Sequence, residues 1–309
     1  MRIPSRSICA WVLLGLALQA RAVDDAAASQ GAPPGEGKHC FGEARPRWLA
    51  TTTLIGALNP RGLELQLEAG RCLPLITTPG LLFDYTNLQF GLVASLAPVY
   101  AMPGAFVSIA PLSVIELRAE AAGVAMWPIG LDAAGYFPLP SARAPWSPLP
   151  AALGVAARGY TANLIGRLRF ELPLAGRWSL LAVNTASFQL WQLGDAPAYY
   201  NTRHDLPMER RDTLLKDVAL LLLQHTPSDR LRLRFGVTGD FTRVTSTGYR
   251  QDVVAALMTA ALSRWPGHRS ETVFFLRLGA YTAHAYHRGE AQLFAGLSTT
   301  FDLSAGPAR

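Results

Sequence analysis

Three groups of residues in this 309-residue chain could do chemistry. His268-Arg269-Ser270-Glu271 sets an imidazole two positions from a hydroxyl, the pairing in which a base activates a nucleophile for hydrolysis. Here Pro266-Gly267 places the pair at a turn, and Glu271 adjoins Ser270 in a poor position to orient His268. His284 and His287 flank a short loop and carry side chains that a transition metal takes. No Cys and no second His pair adjoins them, so no metal site is expected. Arg230, Arg232 and Arg234 occupy alternate positions, so in an extended chain their guanidinium groups form a ladder about 6.6 Å apart on one face. Like charges at that spacing need carboxylates or water between them. Other candidates for the same inward face alternate likewise: Glu64, Gln66 and Glu68; Asn87 and Gln89; Glu116, Arg118 and Glu120; Arg167, Arg169 and Glu171; then Asp240 and Arg277, with Glu64, Glu68, Glu116, Glu120 and Glu171 as the acids that could pair with the ladder. No Gly-x-Ser-x-Gly elbow, phosphate loop or dinucleotide fingerprint appears, and no cofactor is expected.

The elements that carry these side chains alternate with a period of two, the signature of a strand. Leu231, Leu233, Phe235, Val237 and Phe241 oppose Arg230, Arg232, Arg234, Thr238, Asp240 and Thr242. Leu63, Leu65, Leu67 and Ala69 oppose Glu64, Gln66 and Glu68, while Leu164, Leu168, Phe170 and Leu172 oppose Asn163, Arg167, Arg169 and Glu171. Two segments, Leu214 to His225 and Val253 to Leu262, are apolar on both faces. Eleven strands are expected, at 48–58, 61–73, 84–99, 105–123, 159–174, 177–193, 214–226, 229–244, 249–265, 270–284 and 289–303. Closed single-chain barrels favour an even number. Either 105–127 is a bent pair near Pro111, giving twelve, or 48–58 lies outside the wall, giving ten.

Tight turns are expected at Asn59-Pro60, Met102-Pro103-Gly104, Ala175-Gly176, Pro227-Ser228-Asp229 and Pro266-Gly267. Longer connections fall at 75–82, 128–158, 194–213, 245–248 and 285–289. Short turns alternating with long loops fit an up-and-down meander, with 128–158 and 194–213 as the main loops on the outer side.

Composition narrows the class. Half of the residues are hydrophobic and 16% are charged, which is greasy for a soluble chain of this size. Beyond the N-terminus, however, no apolar run approaches the ~20 residues of a spanning helix. Greasiness without long apolar runs is what an all-β, transmembrane antiparallel barrel requires, because only alternate residues of each strand meet lipid. A soluble periplasmic β-barrel or β-sandwich also alternates and is the competing fold.

Arg2 and Arg6, the apolar run Ile8 to Ala20 and Ala20-Arg21-Ala22 read as a signal peptide cut near Ala22. The expected organisation is signal 1–22, a disordered leader 23–46, the barrel 47–303 and a tail 304–309. The net charge of +6 falls to about +3 without Arg2, Arg6 and Arg21. Lys38 and Lys216 are the two lysines, and the arginines lie beside acids, without a basic cluster. No nucleic-acid partner is expected. Cleavage would leave Cys40 and Cys72, which the oxidising environment of an exported protein favours as a disulfide.

The last segment sets Leu293, Ala295, Leu297, Thr299, Phe301 and Leu303 on one face. It resembles the C-terminal strand of bacterial outer-membrane barrels, with the departure that Ser304 to Arg309 follows the near-terminal aromatic. That resemblance implies an outer-membrane location, lipid and lipopolysaccharide as surroundings, and the barrel assembly machinery as a partner in biogenesis. The inward charges then line the lumen, either as a paired structural filling or as a narrow pore for small anionic solutes. The His268-x-Ser270 spacing is similar to that of lipid A 3-O-deacylases, and the likeness implies His268 as base and Ser270 as nucleophile. The expectation is a structural barrel or narrow pore without enzymatic activity, and the lipid hydrolase is the alternative.

Overall fold

The computed structural model describes residues 40, 44–59, 62–78, 80, 82–129, 135–143, 154–228, 230–263, 270–284 and 286–304. The expected signal peptide, most of the leader, the Pro266-Gly267 turn, His268 and the tail beyond Ser304 lie outside the described residues.

Twelve antiparallel strands close a barrel. They are Arg47–Leu58 (β1), Gly62–Pro74 (β2), Asn87–Ala97 (β3), Tyr100–Leu112 (β4), Ile115–Met126 (β5), Ala157–Pro173 (β7), Trp178–Leu193 (β8), Arg211–Ser228 (β11), Leu231–Val244 (β12), Arg250–Ser263 (β13), Ser270–Ala283 (β14) and Ala291–Asp302 (β15). Each pairs with the next in this series, and β1 closes on β15 from Leu49 opposite Asp302 to Leu58 opposite Leu293. Hydroxyls line the inner side of that seam, Thr51 with Thr300 at 3.0 Å and Thr53 with Ser298 at 2.7 Å. Closure leaves no unpaired edge to satisfy.

The segment expected as one strand at 105–123 is two, β4 and β5, joined at Ser113-Val114. This gives the even count of twelve. Met102-Pro103-Gly104 is not a turn but lies inside β4. The register runs from Ala101 opposite Ala125 to Gly104 opposite Ala122, and the ladder to β5 is interrupted at Pro103, which has no N–H to give. Pro98-Val99 makes the actual turn.

The alternation expected from the sequence sets the two faces. Leu92, Val107, Leu117, Leu164, Phe188, Leu221, Val237, Met258 and Leu278 point outward and are exposed. Trp48, Trp178 and Phe301 ring the end where β1 begins and β15 ends, called the terminal end below, and Trp127, Tyr160 and Phe241 ring the other, the loop end. An apolar band between aromatic girdles is the outer surface of a barrel that sits in lipid. Arg71 lies over the Trp48 ring, 5.5 Å from its centroid, where a long cationic side chain reaches headgroups.

The alternation of short turns and long loops is not kept. The connection that begins at Leu75 sits at the terminal end beside the two-residue turn 113–114, while Asn59 and Pro98-Val99 sit at the opposite end, where β5 and β8 also end. The connections that follow β5 and β8 supply a second, three-stranded sheet of Phe137–Leu139 (β6), Ala198–Asn201 (β9) and Leu206–Glu209 (β10).

Candidate functional site

The small sheet fills the loop-end mouth of the barrel. Tyr199, Leu206 and Met208 pack there against the wall residues Tyr100, Met102, Val124, Met126, Trp191, Leu193, Leu214 and Val244. Trp191, Leu193, Tyr199, Leu206, Met208, Leu214 and Val244 are each 0% exposed. This is the main apolar core among the described residues, and it lies inside the barrel. Gly194 (φ 64°) lets the chain leave β8 directly against Tyr136, where a Cβ would come within 2.5 Å of the ring. Tyr136 in turn stacks on Tyr199, with ring centroids 5.4 Å apart.

The turn between β9 and β10 pushes polar groups into this setting. Asn201 Oδ1 accepts the N–H of Arg203 at 3.1 Å and of His204 at 3.3 Å, an Asx-type turn. Asp205 ends the turn at φ 57°, a left-handed conformation that Asp tolerates better than most residues. Arg203 pairs with Glu64 on β2 at 3.0 Å, and Tyr100 donates its hydroxyl to the same carboxylate. His204 is half-buried, edge-on to Trp191. Burial first, then the charges of Arg203 and Lys216, holds its pKa well below the usual imidazole value, so the ring is neutral.

Asp205 lies against the β14–β15 loop. Tyr200 donates its hydroxyl to Oδ1, while no hydrogen bond satisfies buried Oδ2. His284 Nε2 stands 3.5 Å and His287 Nε2 3.4 Å from Oδ2. His287 Nδ1 is 3.0 Å from Glu290. His284 Nδ1 accepts the N–H of Tyr286 at 3.0 Å and of His287 at 3.1 Å, so in the neutral ring the proton is on Nε2, facing the carbonyl oxygen of Asp205 at 3.1 Å. Burial pushes the Asp205 carboxyl up to about 6, against the pull of His287. Burial, then the neighbouring His287, lowers His284 to about 4.

Below the filled mouth the lumen is charged and paired. Arg118 lies over the Phe106 ring at 3.9 Å and binds Glu68 at 2.7 Å and Glu120 at 2.6 Å. Gly70 makes room there, since a Cβ on it would stand 3.1 Å from the Phe106 ring. Asn163 extends the group to Glu120 at 3.2 Å. On the other wall Asp240 holds Lys216 at 3.0 Å and Arg277 at 3.4 Å. Towards the terminal end Arg167 meets Glu116 at 2.9 Å, and Glu171 accepts Ser179 at 2.7 Å and Gln224 at 2.9 Å.

The candidate residues are thus distributed rather than gathered. Gln66 donates to Glu64 at 2.8 Å, and Gln89 to Asn87 at 3.0 Å. The arginine ladder is shorter than expected and has other partners. Arg230 lies in the turn before β12, Arg232 pairs with Glu271 at 2.5 Å, and Arg234 donates to Gln224 at 2.6 Å. Glu64, Glu68, Glu116 and Glu120, expected to serve that ladder, are held by Arg203, Arg118 and Arg167 instead. Arg169 and Glu171 face the lumen and are solvent-exposed. Ser270 opens β14 opposite Phe301 at the terminal end, with its proposed base outside the described residues.

Cys40 and Cys72 form a disulfide with Cα atoms 5.8 Å apart, fastening the residues before β1 to the end of β2. The sequence sets no Cys and no second His pair beside His284 and His287, but the fold brings a carboxylate to them. Asp205, 79 residues before His284, puts three ligand atoms within 4.8 Å of one another. Arg203, His204 and Asp205 carry no periodic signal, and a turn-forming Asn201 was the available clue.

No protein-family model matches the chain, and no curated protein sequence does. Among solved structures it is similar to the β-domain of the Bordetella autotransporter BrkA (13% identity, TM-score 0.41, covering 87% of this chain and 99% of that one). Others are an outer membrane channel from Pseudomonas putida F1 (9%, 0.40, 90% and 100%) and the translocator domain of autotransporter NalP from Neisseria meningitidis (11%, 0.39, 84% and 88%). At these values the likenesses add nothing to the strand pairing of this chain.

Proposed function

We propose that the protein is an outer-membrane barrel that is closed at rest, its loop-end mouth stoppered by the β6-β9-β10 sheet. One observation carries the reading: the sheet contributes fully buried Tyr199, Leu206 and Met208 to a core shared with the barrel wall. A loop that merely overhung the opening would leave these side chains wet. With the start of β1 and the end of β15 at one end, the orientation usual for such barrels puts the stoppered mouth outside and the charged lumen towards the periplasm. The role supported best is structural.

A narrow pathway for small anions, opened by displacement of the stopper, is the second reading. It is favoured by Arg169 and Glu171, which stay exposed in the lower lumen, and by the 39% exposure of the Arg167 side chain. Two measurements test the proposal. The protein should fractionate with outer membranes and migrate differently before and after boiling, and recovery as a soluble periplasmic protein would refute it. Liposomes containing the wild type should not swell in small-solute gradients, while liposomes containing a variant with residues 198–209 replaced by a short Gly-Ser link should.

A further inference from the structure

We propose that Asp205, His284 and His287 form a binding site for a divalent transition-metal ion of the zinc class, one that pins the stopper to the barrel wall. Asp205 belongs to the β9–β10 turn and the histidines to the β14–β15 loop, so an ion shared among them ties two elements that no disulfide joins.

Four observations support the site. Asp205 Oδ2 is buried, its side chain only 7% exposed, and no hydrogen bond satisfies it. A carboxylate oxygen left so is costly unless something positive completes it. The two imidazole Nε2 atoms stand 3.5 and 3.4 Å away. Bonds of roughly 2.0–2.1 Å around a tetrahedral zinc put neighbouring ligand atoms roughly 3.3–3.4 Å apart, so both Asp205–imidazole spacings already fit, while the three atoms together lie within 4.8 Å and the imidazoles must close on each other. His287 also has its other nitrogen 3.0 Å from Glu290, the outer carboxylate that fixes a ligating imidazole and raises its basicity. Finally, the His287 side chain is 29% and that of Glu290 51% exposed, which leaves an entry path from the loop side.

The set selects the ion. Two imidazoles and one carboxylate suit zinc, nickel or copper(II), whereas calcium takes six to eight oxygens and magnesium an oxygen-dominated octahedron. His284 is the weakest ligand. Its Nδ1 already accepts two backbone N–H groups, so before Nε2 can ligate, the ring must release that proton or turn over about Cβ–Cγ. Asp205 and His287 therefore form the core of the site, with His284 added at a cost, and a water completes four-coordination.

The test uses the full chain, folded in detergent, stripped with EDTA and dialysed against Zn2+, with bound metal measured by elemental analysis. The wild type should bind one Zn2+ per chain saturably and melt higher when loaded. Asp205→Asn and His287→Ala should each weaken binding at least tenfold, and His284→Ala by less, with the heat-dependent shift in migration showing that each variant is folded. Absence of saturable binding by the wild type, or full binding by folded Asp205→Asn and His287→Ala, overturns the site. The readout is metal content, so this result is independent of whether the barrel conducts.

Discussion

The two ends of the lumen are built from the same twelve strands and filled in opposite ways. At the loop end, inward positions carry Met102, Met126, Trp191, Leu193, Leu214 and Val244, and a sheet from two loops completes an apolar core around them. At the terminal end, inward positions carry Glu116, Arg167, Glu171, Arg232 and Glu271, paired across strands and partly wet. The difference teaches that the packed core at the mouth is not a property of the wall alone. The wall alone would leave an open tube, apolar at the loop end and charged at the other; the stopper makes the mouth a packed interior, where a lost side chain leaves a cavity rather than a hydrated gap.

The largest expected effect therefore belongs to the mouth. Trp191→Ala removes a wholly buried side chain from both wall and stopper, and should cost about 3–5 kcal/mol in denaturant unfolding of the reconstituted barrel. A loss below about 1 kcal/mol would mean that the mouth is hydrated and the contrast false. Arg203→Ala leaves Glu64 inside without its cation and should cost about 3 kcal/mol, while loosening the stopper enough to admit small solutes. Glu64→Gln in the same background should restore part of the stability, since the stranded charge is then gone.

At the other end the same kind of change should matter less. Arg232 and Glu271 are 33% and 28% exposed, so Arg232→Ala should cost no more than about 1 kcal/mol and leave solute exclusion intact. Melting and liposome swelling together check this. An Arg232→Ala barrel that leaks would move the permeability barrier to the charged half. Reduction of Cys40–Cys72 acts at the terminal end as well, and should expose two thiols to labelling after denaturation without changing swelling.

The smallest effect concerns the outside. Asp217 points outward on β11 and accepts a hydrogen bond from Asn184 at 2.6 Å. Asp217→Leu should change stability by no more than about 1 kcal/mol, and in the stabilising direction, if that face meets lipid alone.

The wall was legible in the sequence because each face of a strand answers to one medium, and a period of two records that. Leu63, Leu65 and Leu67 against Glu64, Gln66 and Glu68 is a complete instruction. Legibility failed where both faces are apolar. Leu214 and Leu222 face the lumen, and Leu215 and Leu221 face outward, so β11 reads as greasy throughout. This is the trace, in the strand pattern, of a lumen filled by protein. The 105–123 segment hid its turn because Ser113-Val114 has neither Gly nor Pro, while Pro103 signalled a turn inside a strand. The Asp205 cluster was illegible for another reason: its members lie in two loops, and loop contacts follow the barrel closing rather than any spacing along the chain.

Single-channel recording in planar bilayers tests the central claim most directly. The wild type should insert without steady conductance, and the variant with residues 198–209 replaced should show stable open levels at the same protein concentration. Steady wild-type conductance, unchanged by that replacement, would contradict a barrel closed by its loop-end sheet.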